Sequence, residues 1–180
     1  MSTLVLVRHA LPLVDEGTPP ADWPLSPEGE QAAAELADRL PGFATLVTSP
    51  EVKAAATLAP AARFREDPVV PDARFREVDR PEEPWGEEAH RARRAYLDGQ
   101  LAPGWEAHSD VVRRFGAGVD WWSRLSGDRP LVVASHGMAM TVWLVGVGAV
   151  TRERAGDFWE RLRFPELLRL TCTPQGWRPA

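Results

Sequence analysis

Two of the four histidines in this chain of 180 residues sit at the end of an apolar run. His9 follows residues 3–8 in Arg8-His9-Ala10, and His136 follows residues 131–135 in Ser135-His136-Gly137. Imidazole is the side chain whose ordinary pKa lets it serve as base, acid or nucleophile near neutrality. Arg8 adds a permanent positive charge beside the first, and the small residue after each histidine lets backbone approach closely. Lys53, the only lysine, falls in the first turn of a helix expected to start at Ser49-Pro50-Glu51. Helical side chains lean toward their own N-terminus, so Lys53 is expected to point toward the same end as Arg8. Cations and imidazoles gathered in this way suit a phosphoryl group, whose transfer depends on positioning and charge neutralisation. Each piece alone has a plainer reading. Arg8-His9 would serve as a solvated strand end, His136 and Ser49-Pro50 as helix caps, and Lys53 as a solvated helix residue. Their order and shared placement at strand ends argue for a site.

The elements that must position these residues follow from pattern. Residues 3–8, 44–48, 131–135 and 167–172 read as buried strands, with a weaker one at 69–70 and another extended piece at 75–78. Ser26-Pro27-Glu28 starts a helix with a capping hydroxyl, a proline at the first helical position and an early acid, and Pro41-Gly42 stops it. Further helices are expected from Pro50 to about residue 59 and over 87–97, 109–125 and 137–147. Strands alternating with helices predict an α/β fold, a three-layer sandwich with a mostly parallel central sheet flanked by helices. In such sheets ligands bind just beyond the carboxyl ends of the strands, where His9 and His136 stand. The free N–H groups of the helices after Pro50 and His136 would add attraction for an anion.

The bulk numbers bound the reading. The length fits a single domain, 1–180, with residues 79–104 as a charged, proline-bearing insertion that covers something. The net charge is −5, and an acidic surface repels a nucleic-acid backbone, so no nucleic-acid partner is expected. No stretch nears the roughly 20 apolar residues of a membrane span, and the N-terminus makes a poor signal peptide, so the expectation is a cytoplasmic protein without a membrane partner. Cys172 is the single cysteine; in its apolar run it reads as a small hydrophobe.

The motifs together resemble the histidine phosphatase superfamily, whose fold is phosphoglycerate mutase-like. Leu6-Val7-Arg8-His9-Ala10 is similar to its signature in the Arg-His-Ala variant. Leu25-Ser26-Pro27-Glu28-Gly29 is similar to its Leu-Thr/Ser-x-x-Gly helix start, and Thr48-Ser49-Pro50 through Thr57 to its Ser-Pro-x-x-Arg-Ala-x-x-Thr segment. Phe75-Arg76-Glu77-Val78 resembles the stretch carrying the acidic residue, and Ala134-Ser135-His136-Gly137 the second histidine motif. Pro103-Gly104-Trp105-Glu106 is weakly like its Gly-Glu-Ser stretch. The resemblance implies a small phosphorylated substrate and no metal or cofactor. It implies that His9 attacks phosphorus, that Arg8, Lys53 and His136 hold the oxygens, and that Glu77 protonates the leaving oxygen and then helps activate water. Ser26, Glu106 and Trp85 are placed at the substrate rim.

The chain also departs from that pattern. Lysine at 53 replaces the usual arginine and loses the planar fork that grips two phosphate oxygens. Ala107 stands for a serine, and Leu11 to Val14 stand for polar residues of the mutases. These features set a phosphatase of small phosphomonoesters beside two alternatives: a weak or inactive homologue that binds a phospho-ligand, and a phosphoglycerate mutase. Arg91, Arg93 and Arg94 either greet an anionic substrate or balance Glu87 and Glu88 on a solvated face.

Overall fold

The structure is a computed structural model that describes residues 3–65, 68–81, 86–100 and 102–180. Among these residues six strands form one sheet: β1 (Thr3–Arg8), β2 (Thr45–Thr48), β3 (Val69–Pro71), β4 (Leu131–Ser135), β5 (Glu166–Thr173) and β6 (Gly176–Pro179), in the order β3-β2-β4-β1-β5-β6. The first four run parallel, and β5 and β6 add an antiparallel edge.

The central strands are apolar through residues 4–7, 46–47 and 131–134 because helices cover both faces. Leu4, Leu6, Leu131 and Val133 face one core, while Val5, Val7, Val132 and Ala134 face the other. The alternation is the period of two that a strand imposes. On the second face lie α1 (Pro27–Ala37) and α2 (Val52–Arg65), through Leu36, Ala54 and Leu58. On the first lie α4 (His108–Ser126) and α5 (Gly137–Gly146), whose Phe115 and Trp143 stack. Outside α5 pack α3 (Glu87–Leu97) and α6 (Ala155–Arg161).

The start of α1 also fixes the loop after His9. Ser26 caps the helix by accepting from the Gly29 N–H at 3.0 Å, and its own N–H donates to the Leu11 carbonyl. A Cβ on Gly29 would lie 2.1 Å from that carbonyl oxygen, so only glycine lets the helix seat there.

Several expected boundaries moved. The second helix passes through Pro60 to Arg65; Pro60 lacks the N–H for the Ala56 carbonyl, but burial of Leu58 and Ala61 on either side holds the helix together. The extended piece at 75–78 is a 3-10 turn (Ala73–Phe75) followed by irregular chain. Both α6 and β6 went unread: each is too short for its periodicity to show. Cys172 is exposed on β5 rather than buried.

Phe75 is fully buried, edge-on to Phe115 at 5.0 Å, under Gly118, where a Cβ would come within 2.7 Å of its ring. Phe75→Ala should destabilise the fold by about 3–5 kcal/mol through lost burial and a cavity. Urea titration checks this; a loss under 1 kcal/mol would show that the ring does not anchor this face.

Candidate active site

The pairing of β1 with β4 sets Arg8 opposite Ser135. The next residues, His9 and His136, therefore leave the sheet side by side, with ring centroids 5.2 Å apart. The His9 N–H continues the ladder by donating to the Ser135 carbonyl at 3.0 Å. On the other side of β4, Thr48 lies opposite Ala134, and the Ser49 N–H donates to the Ala134 carbonyl. This brings the Ser49 hydroxyl to 2.8 Å from His136 Nε2. The chain then turns into α2 and carries Glu51 and Lys53 to the same edge. Arg8, His9, Glu51, Lys53 and Glu77 line a cleft of about 890 Å³, with His136 fully buried behind it.

The His9 ring is oriented by its neighbour. Nδ1 lies 2.8 Å from the Ala10 carbonyl oxygen, which can only accept. Nδ1 therefore carries the hydrogen, and Nε2 keeps the lone pair. Burial, then the positive field of His136, Lys53 and Arg8, pushes the His9 pKa well below its ordinary value, the Ala10 bond opposing. Burial likewise drives His136 down to about 3, helped by Lys53, Arg80 and Arg114 against the pull of Glu77. Both rings are thus neutral at pH 7. Arg8 donates to the Leu162 carbonyl at 2.6 Å and stacks on Phe164. Its desolvation lowers the guanidinium pKa to about 10, with Glu77 and Glu166 opposing. Arg8 Nε and His136 Nδ1 are buried without a hydrogen-bond partner, and buried polar atoms are ordinarily paired.

Glu77 is held by backbone. Its Oε1 accepts from the N–H groups of Val78 and Ala139, both at 2.9 Å. The second of these lies in the first turn of α5, so the anion at that helix N-terminus is the Glu77 carboxylate itself. Behind it, the Arg114 guanidinium donates to the carbonyls of Arg74, Arg76 and Glu77. Arg114 is fixed in turn by two hydrogen bonds to Glu106, and Ser135 Oγ donates to the Phe75 carbonyl.

The sequence model of the histidine phosphatase superfamily (branch 1) matches residues 4–178. This chain belongs to that superfamily.

Solved structures share its fold. A mycobacterial glucosyl-3-phosphoglycerate phosphatase in complex with VO3 aligns with a TM-score of 0.76 at 22% identity, covering 100% of this chain and 98% of that one. A phosphoserine phosphatase mutant from Entamoeba histolytica, complexed with phosphoserine, gives 0.75 at 17% over 100% and 95%. A phosphoglycerate mutase from Bacillus anthracis gives 0.74 at 15% over 99% and 91%. At these identities the likeness is one of fold. No curated protein sequence matches the chain.

Within this superfamily fold, the residues singled out from sequence part into two groups. Arg8, His9, Lys53, Glu77 and His136 come together. Ser26 and Glu106 do not line the cleft: Ser26 is buried as the α1 cap, and Glu106, its side chain 9% exposed, anchors Arg114. Trp85 lies outside the described residues. Among the arginines of α3, Arg93 lines the cleft, while Arg94 pairs with Asp157 and Glu160.

Three contributors went unread in the sequence. Ser49 signalled only a helix cap. Arg114, 37 residues from Glu77 in the chain, carried no local signal. Glu51 looked like first-turn acid, yet its Oε2 takes the Lys53 ammonium at 2.6 Å and its Oε1 lies 3.2 Å from His136 Nε2. The Lys53 ammonium also donates to the Pro20 carbonyl at 2.6 Å, so the expected open cation is engaged twice.

The two neutral histidines make the fold acid-sensitive. Below the ordinary value of 6.5 the unfolded chain takes up protons that the folded imidazoles refuse. Unfolding free energy should therefore fall as pH drops from about 6.5 toward 3, with a slope approaching ~1.4 kcal/mol per pH unit for each imidazole. Urea titrations across this range should show a shallower slope for His9→Asn and for His136→Asn; unchanged slopes would mean that the rings are protonated in the native state.

Proposed function

We propose that this superfamily member is a phosphatase that hydrolyses a small phosphomonoester through a phosphohistidine on His9. The observation that carries the reading is the His9 ring: neutral, locked by Nδ1 to the Ala10 carbonyl, and lining the cleft beside Arg8. A neutral imidazole with its lone pair on Nε2 is a competent nucleophile.

In the first step His9 Nε2 attacks phosphorus, and the bond from phosphorus to the leaving oxygen breaks. Glu77, a carboxylate at rest, takes up a proton from solvent as the substrate's charge arrives beside it and gives that proton to the leaving oxygen. In the second, Glu77 takes a proton from water as the water attacks the phosphohistidine, releasing phosphate and restoring the imidazole. Arg8 holds a buried Nε without a partner; with Lys53 and His136 Nε2 it receives the charge on the equatorial oxygens. The Arg114–Glu106 pair acts at one remove, fixing the backbone that carries Glu77. The proposed cover borders the cleft through Asp79, Arg80, Pro81 and Arg93. The substrate is a small phosphorylated molecule whose leaving group fits between that border and the loop from Leu11 to Trp23.

A second reading, a homologue that binds a phospho-ligand without cleaving it, is favoured by the engagement of Lys53 with Glu51. Acid-labile phosphate separates the two. Reactions with labelled substrate, quenched in alkaline detergent, should leave phosphate on the wild-type protein that acid then releases, and none on His9→Ala. That variant should lose roughly a thousandfold or more in kcat/KM over a panel of phosphomonoesters. Undiminished turnover would remove His9 from the mechanism, and binding without labelling would establish the passive module. Because the His9 pKa is held well below 6.5, the acid limb of kcat/KM that reports the nucleophile should lie below pH 6.5. A limb at or above pH 6.5 that vanishes in no other variant would show a charged resting imidazole.

A further inference from the structure

Glu51 makes three contacts, two of them with groups that a bound phosphoryl group would need. Its Oε2 accepts from Lys53 Nζ at 2.6 Å. Its Oε1 lies 3.2 Å from His136 Nε2 and accepts from the Glu77 N–H at 2.8 Å. A carboxylate only accepts, so the hydrogens of an ammonium and an amide converge on one anion, which also lies beside the imidazole nitrogen that Ser49 Oγ meets at 2.8 Å. The side chain is only 13% exposed, which strengthens each contact relative to water. Arg8 and Lys53 thus face the carboxylates of Glu51 and Glu77 in the same cleft, whose border adds Arg76, Arg80 and Arg93 against Glu16 and Asp79.

We propose that Glu51 is a resident competitor: its carboxylate occupies donors of the phosphoryl site and must yield them for a substrate to bind, so it sets the affinity of the site for phosphate. This rests on the reading of the cleft as a phosphoryl site. Displacement frees Lys53 from its carboxylate partner and His136 Nε2 for the incoming oxygens, at the cost of breaking an ion pair of low exposure. The consequence for selectivity is direct. A phosphoryl group must carry enough negative charge to outcompete a carboxylate for Lys53, so weakly charged phosphodiesters are rejected in favour of dianionic monoesters.

Titration calorimetry with inorganic phosphate, which requires no turnover, tests this on the whole chain. Glu51→Gln keeps the shape and removes the charge. It should bind phosphate on the order of tenfold more tightly at neutral pH, and with a turned-over monoester it should lower KM by more than it changes kcat. Glu51→Leu should move affinity in the same direction, and the gain should disappear in Glu51→Gln/Lys53→Met, because the gain comes from releasing Lys53. A residue that merely held His136 and Glu77 in place would instead weaken phosphate binding when changed. Phosphate binding by the wild type that is equal or weaker in Glu51→Gln and Glu51→Leu overturns this inference and leaves the phosphatase reading standing. No phosphate binding by the wild type or either variant overturns both.

Discussion

Parallel pairing of β1 with β4 is the constraint on which the site depends. Both strands end at the same level, and the backbone bond from His9 to Ser135 extends the ladder one residue past the sheet. Two imidazoles from opposite ends of the chain are thereby held against each other by main-chain geometry, before any side-chain contact is counted. β2, on the far side of β4, adds Ser49 and the start of α2 at the same edge. Burial on both faces fixes the register, since a slip by one residue would exchange the two cores.

Desolvation does the next part of the work. Two histidines enclosed beside Arg8 and Lys53 stay uncharged, because a proton on either would be both buried and repelled. Arg8 stays charged because it gains a carbonyl and an aromatic face. Around two neutral bases the cleft sets Arg8 and Lys53 against Glu51 and Glu77, with further charges of both signs at its border. That arrangement differs from a simple positive pocket, and Glu51 is the reason. The same enclosure that keeps His9 unprotonated also makes any anion in the cleft, resident or incoming, interact strongly with Lys53.

The acidic residue is positioned by a separate device. Glu77 lies on irregular chain with no strand or helix to hold it. Arg114 substitutes for a missing sheet neighbour by donating to three consecutive-turn carbonyls, and Glu106 keeps that guanidinium in place. A loop anchored by buried ion pairs can present a carboxylate as firmly as a strand does.

The strands, most of the helices and the two histidine-bearing strand ends were legible in the sequence because they follow local rules: apolar runs, period-two alternation and a Ser-Pro start. Membership of the histidine phosphatase superfamily followed from motifs in order, which the match over residues 4–178 supports. Ser26 and Glu106 were read as rim residues, but a motif position does not say which way a side chain faces; one caps a helix and the other anchors Arg114. Only the tertiary structure decided what Lys53 touches, what sits at the N-terminus of α5 and what holds Glu77. These depend on groups 2 to 62 residues apart whose meeting is set by packing, such as Lys53 with Glu51, Lys53 with the Pro20 carbonyl, and the Ala139 N–H with Glu77. Charge in a sequence can be counted, but whether a cation is open or already paired is a property of distance, and distance exists only once the chain has folded.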